Sequence, residues 1–310
     1  MLKKDTGMQA IAPLGWGCRC GSRGATPQRR LFSAALLGAT ACAALPGWAR
    51  EGVDVGRQSS FTKLVSADQV ERAASQQYLQ LQQQAAEKKA LARDDHPQLV
   101  RLRAIEQRIR PHTYEWNGRA RQWKWEVNLI GSSQINAFCM PGGKIAFYFG
   151  ILEKLQLNDD EVAMIMGHEA AHALREHARE RMGKNMATRG AIEIGAALFG
   201  LGNAGRTVAD MGGQLLTLKF GREDESEADL IGLELAARAG YDPASGVTLW
   251  QKMATASKGA PPQFLSTHPT GPTRIKDIEA NLYKVEPLYA KADRPPQRFE
   301  PPKAVAEKAS

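Results

Sequence analysis

His168-Glu-Ala-Ala-His172 constrains this chain more than any other stretch of it. An α-helix advances 3.6 residues per turn, so two histidines four apart share one face and present both imidazoles to a single point. Glu169 lies about 100° round from His168, beside that point, where a carboxylate can take a proton from a metal-activated water. A helix is expected here for local reasons. Asn158 precedes Glu161 by three residues, the pattern of a capping box, and an apolar-periodic run follows it. Arg179, Arg181 and Lys184 suit the negative end of a helix dipole, so the helix is predicted over residues 159–183. A chance match would leave one imidazole in the core and the other at the surface, so a third ligand is needed to decide.

Glu225-Ser-Glu-Ala-Asp229 supplies a candidate on a second predicted helix, about residues 223–239, closed by Gly240 and Pro243. A catalytic zinc takes three protein ligands and keeps one position open. Glu225 can complete a set with His168 and His172. Asp229, one turn on, can accept the N–H of a ligating imidazole and fix its tautomer. Glu223, Asp224 and Glu227 read as a solvated acidic face. His177 stands about 140° round from His172 on a continuous helix and is expected at the surface. His268, within Ser266-Thr-His-Pro269, falls in a predicted loop and is a candidate for the open position. A chain of 310 residues can bury a core without metal or disulfides to hold it, so a metal here needs a chemical reason.

The remaining pattern predicts an α+β fold, predominantly helical. Residues 68–92 and 95–110 read as helices, and residues 123–130 as a strand. Residues 134–140 and 144–149 flank Pro141-Gly142-Gly143 as a hairpin. Residues 244–256 and 273–283 read as further helices, the latter with Ile275, Ile278 and Leu282 on one stripe. Gly200-Leu-Gly202-Asn-Ala-Gly205 satisfies a dinucleotide-binding spacing, but no βαβ pattern surrounds it, and a glycine-rich connection is the better reading. No internal repeat is present. The expected organisation is a targeting segment over 1–49, a helical region over 50–119, a catalytic domain over 120–285 and a flexible tail over 286–310.

The net charge of +8 suggests nucleic acid until it is located. Residues 1–49 hold six Lys/Arg against Asp5 alone, hence +5 of that charge, and no basic block follows, so nucleic-acid binding is set aside. Arg29-Arg30, an apolar run over 31–45 and Gly47 and Ala49 form the order of an export signal that is removed. Arg29-Arg30-Leu31-Phe32 has a twin-arginine look, and Ala39-Thr40-Ala41-Cys42 a lipobox look that would acylate Cys42; both routes stay open. Cys18, Cys20 and Cys42 precede the expected cut and leave Cys139 unpaired, which excludes a disulfide framework.

Five motifs together carry a family resemblance. They are Asn136-Ala-Phe-Cys-Met-Pro-Gly-Gly143, His168-Glu-Ala-Ala-His172, Arg222-Glu-Asp-Glu-Ser-Glu-Ala-Asp229, Ala239-Gly-Tyr-Asp-Pro243, and Ser266-Thr-His-Pro269 with Arg274-Ile275. In this order the chain resembles the HtpX-, BepA- and LoiP-like zinc metallopeptidases. That family also includes the type I CAAX prenyl proteases and the mitochondrial protease Oma. The resemblance implies a zincin-like domain with a small antiparallel sheet or hairpin beside the His168–His172 helix. It further implies one Zn2+ held by His168, His172 and Glu225, with Glu169 as base, Asp229 behind a ligand, and His268 as a regulatory fourth ligand. Tyr241 and Arg274 are the candidates for oxyanion stabilisation. With no transmembrane helices and no C-terminal repeat module in the pattern, the chain is most similar to the short, exported LoiP-like branch. The expected function is endoproteolysis of unfolded or misassembled envelope proteins in the periplasm, with outer-membrane association through Cys42 if it is acylated. The competing expectation is a zinc-containing, chaperone-like binder whose site His268 occludes.

Overall fold

The computed structural model describes residues 50–198, 215, 218–257, 262–269 and 273–303. The expected signal, Cys42 and the Gly200–Gly205 spacing lie outside these residues. The described elements run α1 (Ala67–Glu87), α2 (Pro97–Ile109), β1 (Glu126–Ile130), β2 (Ala137–Met140), β3 (Lys144–Tyr148), α3 (Phe149–Lys154) and α4 (Asp159–Leu174). They continue with α5 (His177–Leu198), α6 (Arg222–Arg238), α7 (Ser245–Ala256), α8 (Gln263–Thr267) and α9 (Arg274–Lys291). This is the helical α+β class expected. No described helix is long and apolar enough to cross a membrane.

The sheet has the order β1-β3-β2. The β2–β3 hairpin is antiparallel, as the Pro-Gly-Gly turn predicts, but β1 joins β3 in parallel, so the sheet is mixed rather than antiparallel. Gly143 has φ 74, and a Cβ there would stand 2.7 Å from the Trp125 ring; only glycine makes this turn. β2 begins at Ala137, three residues later than predicted, and lies at the sheet edge beside α4.

Helix α4 is the centre of the molecule. The reciprocal bonds of Asn158 and Glu161, both 2.9 Å, cap its start. Arg101, fully buried, secures the same end through Asp159 Oδ1 at 2.6 Å and the Leu157 carbonyl at 2.7 Å. Apart from Asp160, every residue of α4 is buried, because α2, β2, α6 and α7 pack around it. Its apolar residues therefore need no single stripe.

Two expectations fail on tertiary grounds. The helix predicted over 159–183 breaks after Leu174, where Glu176 takes φ 58 and α5 restarts at His177. A left-handed non-glycine residue costs about 1–2 kcal/mol. The freed ends find distant partners: Asn117 donates to the Leu174 carbonyl at 3.0 Å, and Gln58 bonds the Arg175 carbonyl and the Glu176 carboxylate. The stretch expected as a tail from residue 286 instead begins inside α9. Val285 and Leu288 are buried on either side of Pro287. Further on, the Phe299 N–H donates to Asp159 at 2.8 Å and Gln98 donates to the Glu300 carbonyl.

Helices α4 and α6 meet at Gly167 and Gly232. A Cβ on Gly232 would stand 2.9 Å from the His168 backbone nitrogen, and one on Gly167 would stand 3.0 Å from the Gly232 carbonyl oxygen. Alanine would otherwise favour either helix by about 1 kcal/mol, but here it must push two backbones apart. Gly232→Ala is expected to lower stability by about 1–3 kcal/mol, whereas Gly118→Ala, whose Cβ meets nothing within 4 Å, should not. Urea unfolding of the two variants checks this; a Gly232→Ala protein as stable as the parent refutes the contact.

Candidate metal centre

The α4–α6 contact sets the histidines of one helix against the acidic turn of the other. His168 and His172 of α4, Glu225 of α6 and His268 after α8 are all buried, with one ligand atom each within 4.8 Å of the others. His168 Nε2 stands 3.2 Å from His172 Nε2 and 3.3 Å from His268 Nδ1. Glu225 Oε1 is 3.0 Å from His268 Nδ1 and 3.6 Å from His172 Nε2. Ligand atoms around a tetrahedral zinc, at 2.0–2.1 Å each, would stand roughly 3.3 Å apart. The donor set therefore fits zinc in size, number and chemistry. A shared proton could satisfy only one contact among three converging ring nitrogens, whereas a dication satisfies all of them.

Buried charges support this cluster. Asp229 Oδ1 lies 3.0 Å from His168 Nδ1. Arg274 grips both Asp229 oxygens at 2.7 Å, reaches Glu225 Oε2 at 2.7 Å and stacks 3.6 Å over Trp250. Burial pushes the Asp229 carboxyl up, but Arg274 and His168 outweigh it and bring the pKa to about 2. Burial likewise raises Glu225, and His268, His168 and Arg274 carry it below the ordinary value. His172 is driven well down, by burial first and then by the adjoining His168 and His268, which leaves it neutral, as a ligand must be.

Glu169 differs from these carboxylates. Burial raises its pKa despite the lowering influence of His268 and His168, and its Oε1 has no hydrogen-bond partner, with His268 Nε2 nearest at 3.4 Å. It lines a groove with β2, His172, Phe220 and His268. The segment leading into His268 is held there by two bonds, Phe264 N–H to the Ile135 carbonyl and Phe220 N–H to the Thr267 carbonyl. The pKa of His268 is lowered by burial but raised more strongly by Glu169 and Glu225, and ends above the ordinary value.

The structure thus brings together His168, Glu169, His172, Glu225, Asp229, His268 and Arg274. It leaves out Tyr241, which is buried near Asp159, Asp160 and Arg298. Asp159 is nine positions before His168, or about 13 Å along α4. Arg274 reaches the cluster, but its donors are committed to Asp229, Glu225 and the Pro269 carbonyl, so neither residue stands as an oxyanion donor. His177, expected at the surface, is buried with Nδ1 2.9 Å from His172 Nδ1 and Nε2 3.1 Å from Glu227. Glu227, expected on a solvated face, is partly exposed and paired with Arg175 at 2.8 Å. The placement of His177 follows from the unforeseen break at Glu176, which no glycine or proline marks.

Residues 101–282, more than half of the chain, match the family model Peptidase family M48. The chain belongs to that family. Its peptidases are zinc-dependent, in keeping with the donor cluster. The mitochondrial metalloendopeptidase OMA1 of Arabidopsis thaliana is 38% identical over 159 residues, 51% of this chain and 32% of that protein. The OMA1 of Schizosaccharomyces pombe is 36% identical over 159 residues, covering 50% and 46%. The beta-barrel assembly-enhancing protease of Yersinia pestis is 29% identical over 177 residues, covering 53% and 36%. The chain spans from 32% to 46% of the length of these relatives.

Removing Glu225 tests whether two helices form one site. Glu225→Ala is expected to lose bound zinc on metal analysis while Glu223→Ala keeps it; retained zinc in the first would separate the helices. Asp229 carries a pH signature. With a folded pKa of about 2 against 3.8, it contributes stability that is complete above pH 3.8 and lost as pH falls through 2. In zinc-stripped protein, the urea midpoint difference between wild type and Asp229→Asn should therefore shrink over that interval, and a constant difference would contradict it.

Proposed function

We propose that this chain is an exported zinc endopeptidase that cleaves unfolded or misassembled proteins of the cell envelope. One observation carries the reading: a four-residue donor set, through His172 and His268, shares a groove with a base-like Glu169 and an edge strand. β2 has β3 on one side and the groove on the other. An extended polypeptide laid along it gains main-chain hydrogen bonds whatever its sequence, which suits unfolded clients. Zinc, when bound, polarises the scissile carbonyl and makes a water acidic enough to attack near neutral pH. Glu169 takes the proton from that water and returns it to the leaving amine, a role its raised pKa favours. Arg274 and Asp229 hold Glu225 and His168 in place while charge shifts.

His268 fills the position a substrate needs, so the arrangement is latent, and His268 must withdraw for cleavage. Export rests on the Arg29–Ala49 pattern, which supports a periplasmic reading and, if Cys42 is acylated, association with the outer membrane. The similarity to the beta-barrel assembly-enhancing protease of Yersinia pestis supports clients connected with the assembly of such barrels. The four-ligand closure favours a second reading, a chaperone-like zinc protein that binds clients without cutting them, since closed sites are typical of structural zinc.

Unfolded casein separates the two. Glu169→Gln should keep zinc yet cleave about 100-fold more slowly or worse, and wild-type cleavage by that variant removes Glu169 as base. His268→Ala should cleave faster than wild type. Unchanged client binding with no cleavage in that variant would decide for the binder.

A further inference from the structure

We infer that His177, fixed by Glu227 and Arg175, orients His172 for metal binding, which makes His177 a positioning residue of the centre. The inference rests on reading the cluster as a zinc site. His172 turns Nε2 towards His168 and Glu225, so in its neutral form the hydrogen sits on Nδ1. A buried N–H requires an acceptor. His177 Nδ1 meets it at 2.9 Å. To accept there, His177 must carry its own hydrogen on Nε2, and that atom lies 3.1 Å from Glu227 Oε2. Arg175 closes the chain, with Nε and Nη2 at 2.8 and 3.2 Å from the two Glu227 oxygens. Each link therefore fixes the tautomer of the next, from a paired guanidinium to the metal-facing nitrogen.

His168 has the same support in shorter form, with Asp229 touching its ring directly and Arg274 behind it. His172 is backed by a carboxylate one imidazole further out. The left-handed Glu176 makes this possible by restarting the chain at His177, which a continuous helix would turn away. Packing is the competing explanation, because Phe220 stacks on His172 at 4.0 Å and lies 6.2 Å from His177. Packing does not distinguish glutamine from leucine in the way the hydrogen-bond chain does. Glutamine offers an acceptor oxygen and a donor amide; leucine offers neither.

The experiment measures zinc affinity by chelator competition on the purified chain, for wild type, His177→Leu, His177→Gln and Glu227→Gln. It adds the visible absorption of the cobalt-substituted proteins and the unfolding midpoints of the metal-free ones. His177→Leu should bind zinc about 10- to 100-fold more weakly and shift the cobalt bands. His177→Gln should recover part of that loss at a similar metal-free midpoint. Affinity in His177→Leu within about twofold of wild type, or equal loss in the Gln and Leu variants, overturns the inference. Should His177→Leu not fold, Glu227→Gln decides, because it leaves the ring in place; an unchanged affinity and spectrum there also overturn it. A wild-type chain that binds no zinc would overturn the metal-centre reading itself.

Discussion

The backbone contact of α4 with α6 is the constraint on which the rest depends. Gly167 and Gly232 let two helices approach until their main chains touch, one residue before His168. At that distance Glu225, seven positions before Gly232 on α6, reaches the imidazoles of α4. Helices separated by ordinary side chains stand 8–10 Å apart, and a single bound ion tolerates errors of only a few tenths of an ångström in its ligands. A pair of glycines thus determines whether the site exists.

Around that contact the fold places charges that could not be buried singly. An isolated carboxylate in an apolar interior would lose its charge, yet the pKa of Asp229 is lowered by Arg274 and His168, and that of Glu225 by His268, His168 and Arg274. Glu169 has no such cation, and burial raises its pKa above the ordinary value. Three carboxylates within one cluster therefore differ in their surroundings, two lying against Arg274 and one without it.

Local chemistry was readable where it depends on spacing. The capping box at Asn158, the i, i+4 histidines, the Glu225–Asp229 turn and the Pro-Gly-Gly hairpin all follow from rules spanning fewer than ten residues, and the structure has each in place. His268 was readable only as a candidate, because no local rule says how far a loop reaches. The break at Glu176 was not readable at all. Its partners, Asn117 and Gln58, are more than fifty positions away, and that one turn of backbone brings His177 from the expected surface against His172 and Glu227. Tyr241 illustrates the converse: a residue in a matching motif carried by the fold to the far end of α4.

By itself the sequence determined which residues can share a helical face, where the main helices begin and which donor types a metal would meet, since those properties travel with residues a few positions apart. Only the tertiary structure decided that His268 joins the cluster, that Arg274 pairs with Asp229 and Glu225, and that β1 pairs in parallel. These outcomes depend on which distant surfaces exclude water from one another. That exclusion is a property of the packed molecule, not of any short stretch of it.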